Sequence, residues 1–385
     1  MERPEQSTRT IVNRLFLGFR YVCFLLGSTL AILAVLEIVS SGVIYLRWKQ
    51  WVRRENAPCY KQYPEESKEY YRELEEVFGA RVHGSTMRYS PFELWKNQDY
   101  AGKLINIKNG LRVTLFNKGT PPDKRVFFMG GSAMWGDGVW DSFTVPSLVS
   151  KMLNAESSKR VYEGSNYGER AYNIFQEYVR LSRLLAEGLR PDIVVFLDGA
   201  NEIGATFESG SPRLHYDYLA IRDRFEHRSL INYLGDSYTM RVLGGVSRRL
   251  HTSQNNDDGE LAEEIGDWYH AIKRQIEALA MTYNFKPVFL WQPMLIPQLK
   301  NLSDYERHIS AKTPPGLSSL AARVYSTMDL RVKSGALGRV YDVSKIFAAN
   351  SETVYVDVFH VGPQGNTVLA TRIVEILREL DGPTE

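Results

Sequence analysis

An α/β fold is what this sequence predicts: a three-layer sandwich on a parallel sheet, preceded by one N-terminal transmembrane helix. Three observations predict it. A long apolar stretch stands near the start; after Pro121-Pro122, short apolar runs alternate with longer segments of helical period; and glycines and polar residues follow directly on those runs.

Between Arg20 and Arg47 lie 26 residues whose only charge is Glu37. At about 1.5 Å per residue this stretch exceeds the roughly 30 Å hydrocarbon core, so residues 21–46 are expected to span it. Glu37 opposes insertion by about 2.5–3.5 kcal/mol at the bilayer centre, less if it snorkels or finds a partner. Residues 1–20 form a short tail. Four arginines precede the span, and Arg47, Lys49, Arg53, Arg54 and Lys61 follow it, so the flanking charge does not orient it. Residues up to about Arg54 are read as an anchor that supplies location and no chemistry.

Residues 47–120 read as a juxtamembrane lead-in, with a helix over Glu65–Phe78 and a hairpin whose strands Leu104–Ile107 and Leu111–Phe116 flank Asn109-Gly110. The α/β domain occupies 121–385. Its expected strands are Val126–Met129, Val161–Tyr162, Ile193–Leu197, Val288–Trp291 and Val340–Val343. Its expected helices lie near Ser147–Leu153, Ala171–Leu185 and Glu260–Leu279, with a last one after Gly365. Residues 205–256 read as a polar insertion flanking a cleft.

Composition removes other classes. The 385 residues are 44% hydrophobic and 24% charged, ordinary for a protein with a real core. A net charge of +2, with no block of one sign, gives no reason to expect a nucleic-acid partner. Cys23 lies inside the apolar stretch, so pairing with Cys59 is not expected. The seven histidines show no metal-ligand spacing, and no metal site is expected.

In an open parallel sheet, functional groups gather at the carboxyl ends of strands. Val126–Met129 is followed by Gly130-Gly131-Ser132, which puts a serine at a strand-to-helix junction, where its own N–H can face a developing oxyanion. The glycine two residues after the serine, required by the α/β-hydrolase elbow, is absent; a structural turn or a phosphate loop would look the same. Asn166-Tyr167-Gly168 offers a glycine N–H, or a simple turn. After Ile193–Leu197 comes Asp198-Gly199-Ala200-Asn201-Glu202, where Asn201 is either an amide donor or a helix cap. Asp357-Val358-Phe359-His360 can put a carboxylate and the histidine it orients on one loop.

Taken in order, these four blocks resemble the SGNH (GDSL-type) hydrolase superfamily over roughly Arg125–Leu380, in its membrane-anchored bacterial form. The resemblance implies an SGNH-hydrolase-like (flavodoxin-like) sandwich. It further implies Ser132 as nucleophile, His360 as base, Asp357 as its orienting carboxylate, and Ser132, Gly168 and Asn201 as the oxyanion hole. Gly131 stands where an Asp commonly precedes the serine, and Glu202 where many members have Asp. Flanking segments, Pro91–Trp95 and Trp291-Gln292-Pro293 with Leu302–Glu306, are similar to membrane-anchored members. The implied activity is ester hydrolysis or acyl transfer without a cofactor. The expected substrate is an O-acyl group, acetyl or another short one first, on an extracytoplasmic glycan or a lipid. The rival is a non-catalytic, membrane-tethered subunit of a surface-polysaccharide assembly that keeps the fold. No protein partner can be named.

Overall fold

The structure, a computed structural model, describes residues 4–78, 87–155, 160–226, 237, 239, 257–297 and 299–381. The chain divides into two units, Met1–Gln50 with Arg228–Leu250, and Trp51–His227 with His251–Glu385.

Helix α1 (Pro4–Val52) supplies most of the first unit. Its Arg14–Leu46 stretch is long and apolar enough to cross a membrane, and its large side chains, Phe24 and Ile38 among them, stand exposed rather than packed in a core. Glu37 has found a partner. Its Oε2 accepts the Thr239 N–H at 3.0 Å and the Thr239 hydroxyl at 2.8 Å. The polar residue thus comes from the inserted segment.

The second unit opens with α2 (Pro64–Phe78), an antiparallel pair β1 (Arg88–Ser90) and β2 (Leu94–Lys96), and a three-stranded sheet of β3 (Tyr100–Ala101), β4 (Asn106–Lys108) and β5 (Leu111–Arg112). The expected hairpin joins β4 to β5, with shorter strands than the apolar runs suggest. Asn109 and Gly110 take φ of 56° and 79°, as a type I′ turn requires. Tyr60, Tyr70, Tyr71 and Leu74 pack with Trp135, Trp140 and Val356, so this lead-in shares a core with the segments around the serine and the histidine.

The α/β part then runs β6 (Lys124–Gly130), α3 (Ser132–Trp135), α4 (Val145–Leu153), β7 (Tyr162–Asn166), α5 (Ile174–Ala186), β8 (Ile193–Asp198), α6 (Ala200–Ser209), α7 (Tyr218–Glu226), α8 (Asp258–Tyr283), β9 (Lys286–Trp291), α9 (Asp304–Ser310), α10 (Pro315–Lys333), β10 (Tyr341–Asp342) and α11 (Pro363–Asp381). All pairings in its sheet are parallel, in the order β10-β9-β8-β6-β7. That is the flavodoxin-like order. Alternate residues of β6 enter opposite cores. Phe127 and Met129 pack toward α5, α8 and α10, while Val126 and Phe128 pack toward α4 and α11.

Helices α9 and α10 are absent from the sequence expectation. The expected insertion also begins too early, since Ala205–Ser209 complete α6 and α7 falls inside it; residues 227–236, 238 and 240–256 lie outside the described residues. The order of strands has one consequence for the site. Chain direction across the sheet reverses between β6 and β8, which pair from Val126↔Ile193 to Gly130↔Leu197. Ligand sites open at the carboxyl ends of such a pair.

Candidate active site

Ser132 is the first residue of α3, immediately after β6. As first residue its N–H has no acceptor within the helix. Both preceding glycines are required. Gly130 has φ of 153°, and a Cβ there would stand 2.7 Å from the Met134 Cβ. A Cβ on Gly131 would meet the Asn201 amide nitrogen at 1.7 Å. A side chain at 131 would therefore make the Asn201 amide give way.

Ser132 Oγ lies 2.7 Å from His360 Nε2. On the far side of the ring, Nδ1 lies 2.9 Å from both oxygens of Asp357. Two residues 228 positions apart thus meet, as the spacing on one loop led one to expect for Asp357 and His360 alone. Asp357 is fixed by more than the ring. Its Oδ1 accepts the N–H groups of Phe359 and His360 at 2.8 and 2.9 Å, and its Oδ2 accepts Arg54 at 2.7 Å. Burial would push its pKa up, but His360 and Arg54 reverse this and hold the carboxyl well below the usual range. For His360, burial pulls down; the charge and hydrogen bond of Asp357 outweigh it, so the imidazole titrates above its ordinary value.

Asn201 is not the cap of α6. Gly199 holds that position, and the Glu202 side chain accepts the Gly199 N–H at 2.6 Å. Asn201 faces the pocket beside Ser132, with Nδ2 donating to Tyr172 O at 2.6 Å. An amide carries two N–H groups, so this bond fixes the side chain and leaves one donor. Gly168 differs from expectation. Its N–H donates to Asn166 Oδ1 at 3.0 Å, and it is not among the residues lining the pocket. The cause is local: Asn166 bonds the backbone two residues on, a pattern Asn favours in turns. Gly168 is still needed as glycine, because a Cβ would stand 2.7 Å from the Trp135 backbone nitrogen.

Sequence reasoning missed two groups. Asp137 Oδ2 stands 3.8 Å from His360 Nε2 and 2.7 Å from Arg170 Nε. It adds negative charge on the side where an imidazolium would form. Its flanking glycines, Gly136 and Gly138, were a legible sign of a shaped loop, and buried Tyr60 and Tyr70 grip Gly138 by its C=O and N–H. The second is Arg54. A boundary drawn there cuts into the site.

A pocket of about 740 Å³ opens over Ser132, Asn201 and His360. Its wall is mainly apolar, with Met87, Leu94, Trp95, Ile221, Phe225 and Phe359; Arg88, Asp137, Arg170 and Asp217 supply its charge. Among the described residues, no three His, Cys, Asp or Glu side chains could together hold a metal ion.

No family model and no curated protein sequence matches the chain. Solved structures do. The chain is similar to the acetyl xylan esterase AlAXEase, with 13% identity over 66% of this chain and 100% of that one and a TM-score of 0.38. It is similar to a member of the lipolytic protein G-D-S-L family from Veillonella parvula DSM 2008, with 11% identity, 66% and 97% covered and a TM-score of 0.37. It is also similar to Axe2, an acetylxylan esterase from Geobacillus stearothermophilus, with 13% identity, 66% and 94% covered and a TM-score of 0.35.

Proposed function

We propose that the protein is a membrane-anchored serine esterase or acyltransferase, with its catalytic unit outside the cytoplasm and acting on O-acyl groups of a glycan or lipid. One observation carries the reading: the unbroken array Ser132 Oγ, His360 Nε2, His360 Nδ1 and Asp357, with hydrogen-bond distances of 2.7 and 2.9 Å.

His360 takes the Ser132 proton as Oγ attacks the ester carbonyl carbon. The oxyanion is met by the Ser132 N–H and the second N–H of Asn201. The C–O bond to the leaving alcohol then breaks, and the alcohol departs with the proton held on Nε2. Water, or the hydroxyl of an acceptor, gives its proton to His360 as it attacks the acyl-enzyme carbonyl; the bond from that carbon to Ser132 Oγ then breaks and His360 returns the proton to Oγ. Asp357 stays ionised and steadies the imidazolium. Gly168 contributes packing and no donor in this arrangement.

The apolar wall bears on the acyl group. The pocket of about 740 Å³ takes both halves of the ester, and its mainly apolar wall favours an acyl chain longer than the acetyl that the resemblance suggests. The test is direct. Fluorophosphonate should label the wild type and hydrolysis of aryl esters should follow; labelling that persists in Ser132→Ala would place the nucleophile elsewhere.

A further inference from the structure

We infer that Arg54 is a positioning residue for the base, the fourth member of a chain running Ser132, His360, Asp357, Arg54. This rests on the catalytic reading of Ser132, His360 and Asp357 given above. Arg54 belongs to the short 3-10 turn Arg53–Asn56 that directly follows the long apolar helix. It reaches a residue 303 positions away and donates Nη1–H to Asp357 Oδ2 at 2.7 Å. The carboxylate is nearly buried and the guanidinium about two-thirds buried, so water screens the pair only in part. The segment that joins anchor to catalytic unit therefore ends on the carboxylate that steers the base.

Its effect on the base has a definite sign. Asp357 stabilises the imidazolium form of His360. A cation on the other carboxylate oxygen draws off part of that negative charge, and it also repels the imidazolium. Arg54 thus keeps His360 from being held protonated too firmly, which preserves a neutral base at lower pH. The other groups facing the pair do not supply this. Asp137 acts in the opposite sense and is itself paired with Arg170. Cys59, Tyr71 and Tyr305 are neutral, burial having pushed the Cys59 thiol up to about 12 and both phenols above their ordinary value. Glu306 is bound to Lys300.

The experiment compares Arg54→Lys, Arg54→Gln and Arg54→Met with wild type in the full-length protein in detergent. It measures kcat/KM for an aryl ester against pH, per fluorophosphonate-labelled molecule, with Ser132→Ala as control. Counting labelled molecules removes any loss of folded protein from the comparison. Arg54→Lys keeps the charge and should keep the acid limb in place. Arg54→Gln keeps a donor and loses the charge, and Arg54→Met loses both; in each the limb should move to higher pH. A limb displaced by about one pH unit lowers kcat/KM about tenfold on its acid side, with recovery at alkaline pH. A limb for Arg54→Gln that coincides with wild type overturns the inference while leaving the catalytic reading intact. Turnover and labelling that survive in Ser132→Ala overturn the reading itself, and the inference with it.

Discussion

Two buried acid clusters flank the serine, and they solve the same electrostatic problem in opposite ways. Asp357 keeps its charge because Arg54, His360 and two backbone N–H groups surround it. Glu177, Asp198 and Glu202, at the junction of α5, β8 and α6, are as deeply buried, and no Lys or Arg among the described residues lies within ion-pair distance of them. Burial and mutual repulsion push Glu177 and Asp198 well up, toward the protonated form. The difference teaches what each cluster is for. A charge meant to act on a histidine is held by a cation. A cluster that only has to hold backbone is neutralised by protons: Glu202 receives the Ile174 and Gly199 N–H groups at 2.8 and 2.6 Å, tying together the starts of the helices that place Asn201.

The largest effect expected is on the charged side. Ser132→Ala should lower turnover by on the order of 10⁴-fold or more and abolish covalent labelling, with the thermal midpoint nearly unchanged. Asn201 comes next, because it stands beside Ser132 in the pocket, on the helix whose start Glu202 holds. Asn201→Ala should lower kcat by on the order of 10²–10³ with little change in KM. Asn201→Asp tests the same role by charge, since a carboxylate would repel the oxyanion. The cap position is already taken by Gly199, so a normally active Asp variant would remove Asn201 from the oxyanion hole with no capping effect to confuse the result.

A third prediction sets the clusters against each other by pH. The raised pKa values of Glu177 and Asp198 mean that the folded state binds more protons than the unfolded one. Their contribution to stability is therefore full below the ordinary carboxylate range of about 4 and is lost as pH rises through the folded values. Asp357, with its lowered pKa, does the reverse: its contribution is present above about 4 and is lost as pH falls. Glu177→Gln keeps the size of the side chain and cannot ionise. It should flatten the neutral-to-alkaline decline in thermal midpoint, by the equivalent of about 1–2 kcal/mol, and leave the acid side alone. An unchanged decline would show that the pair carries no proton.

The sequence made the ends of the strands legible because the apolar runs are sharp and the polar residues follow at once. Ser132, Asn201, Asp357 and His360 were all found that way, and the structure brings Ser132, Asn201 and His360 to one pocket with Asp357 behind the imidazole. Arg54 was invisible because nothing local ties it to a loop 303 residues on. Gly168 was misleading for the opposite reason: its N–H is taken by Asn166, a choice made two residues away by side-chain geometry. The short α9 was missed because charged residues outnumber apolar ones in it, whereas α10, with Pro315 at its first position and Leu317, Leu320, Ala321, Val324 and Met328 at helical spacing, was legible and went unread. Asn201 itself was half read. Whether it capped α6 depended on where the helix began, and element boundaries are the least determined feature of a pattern.

The smallest effect concerns the acyl group, and it separates the two carriers of the site. The charged array treats all esters alike, since it touches only the carbonyl and the two oxygens around it. The pocket wall does not. Met87, Leu94, Ile221, Phe225 and Phe359 line the same pocket as the serine, and the proposed reading runs the acyl chain along them. Each methylene moved from water into such a wall contributes about 0.8 kcal/mol, or roughly fourfold in kcat/KM when the contact is kept in the transition state. Along a series of aryl esters from acetyl to octanoyl, kcat/KM should rise by about that factor per methylene until the chain reaches the rim, with the acid limb of the pH profile fixed throughout. Phe225→Ala should flatten the later part of the series and leave the acetyl ester untouched. If acetyl is instead the best substrate and longer chains are slower, the apolar wall faces the alcohol side of the ester, and the pocket receives the glycan or lipid rather than the acyl chain.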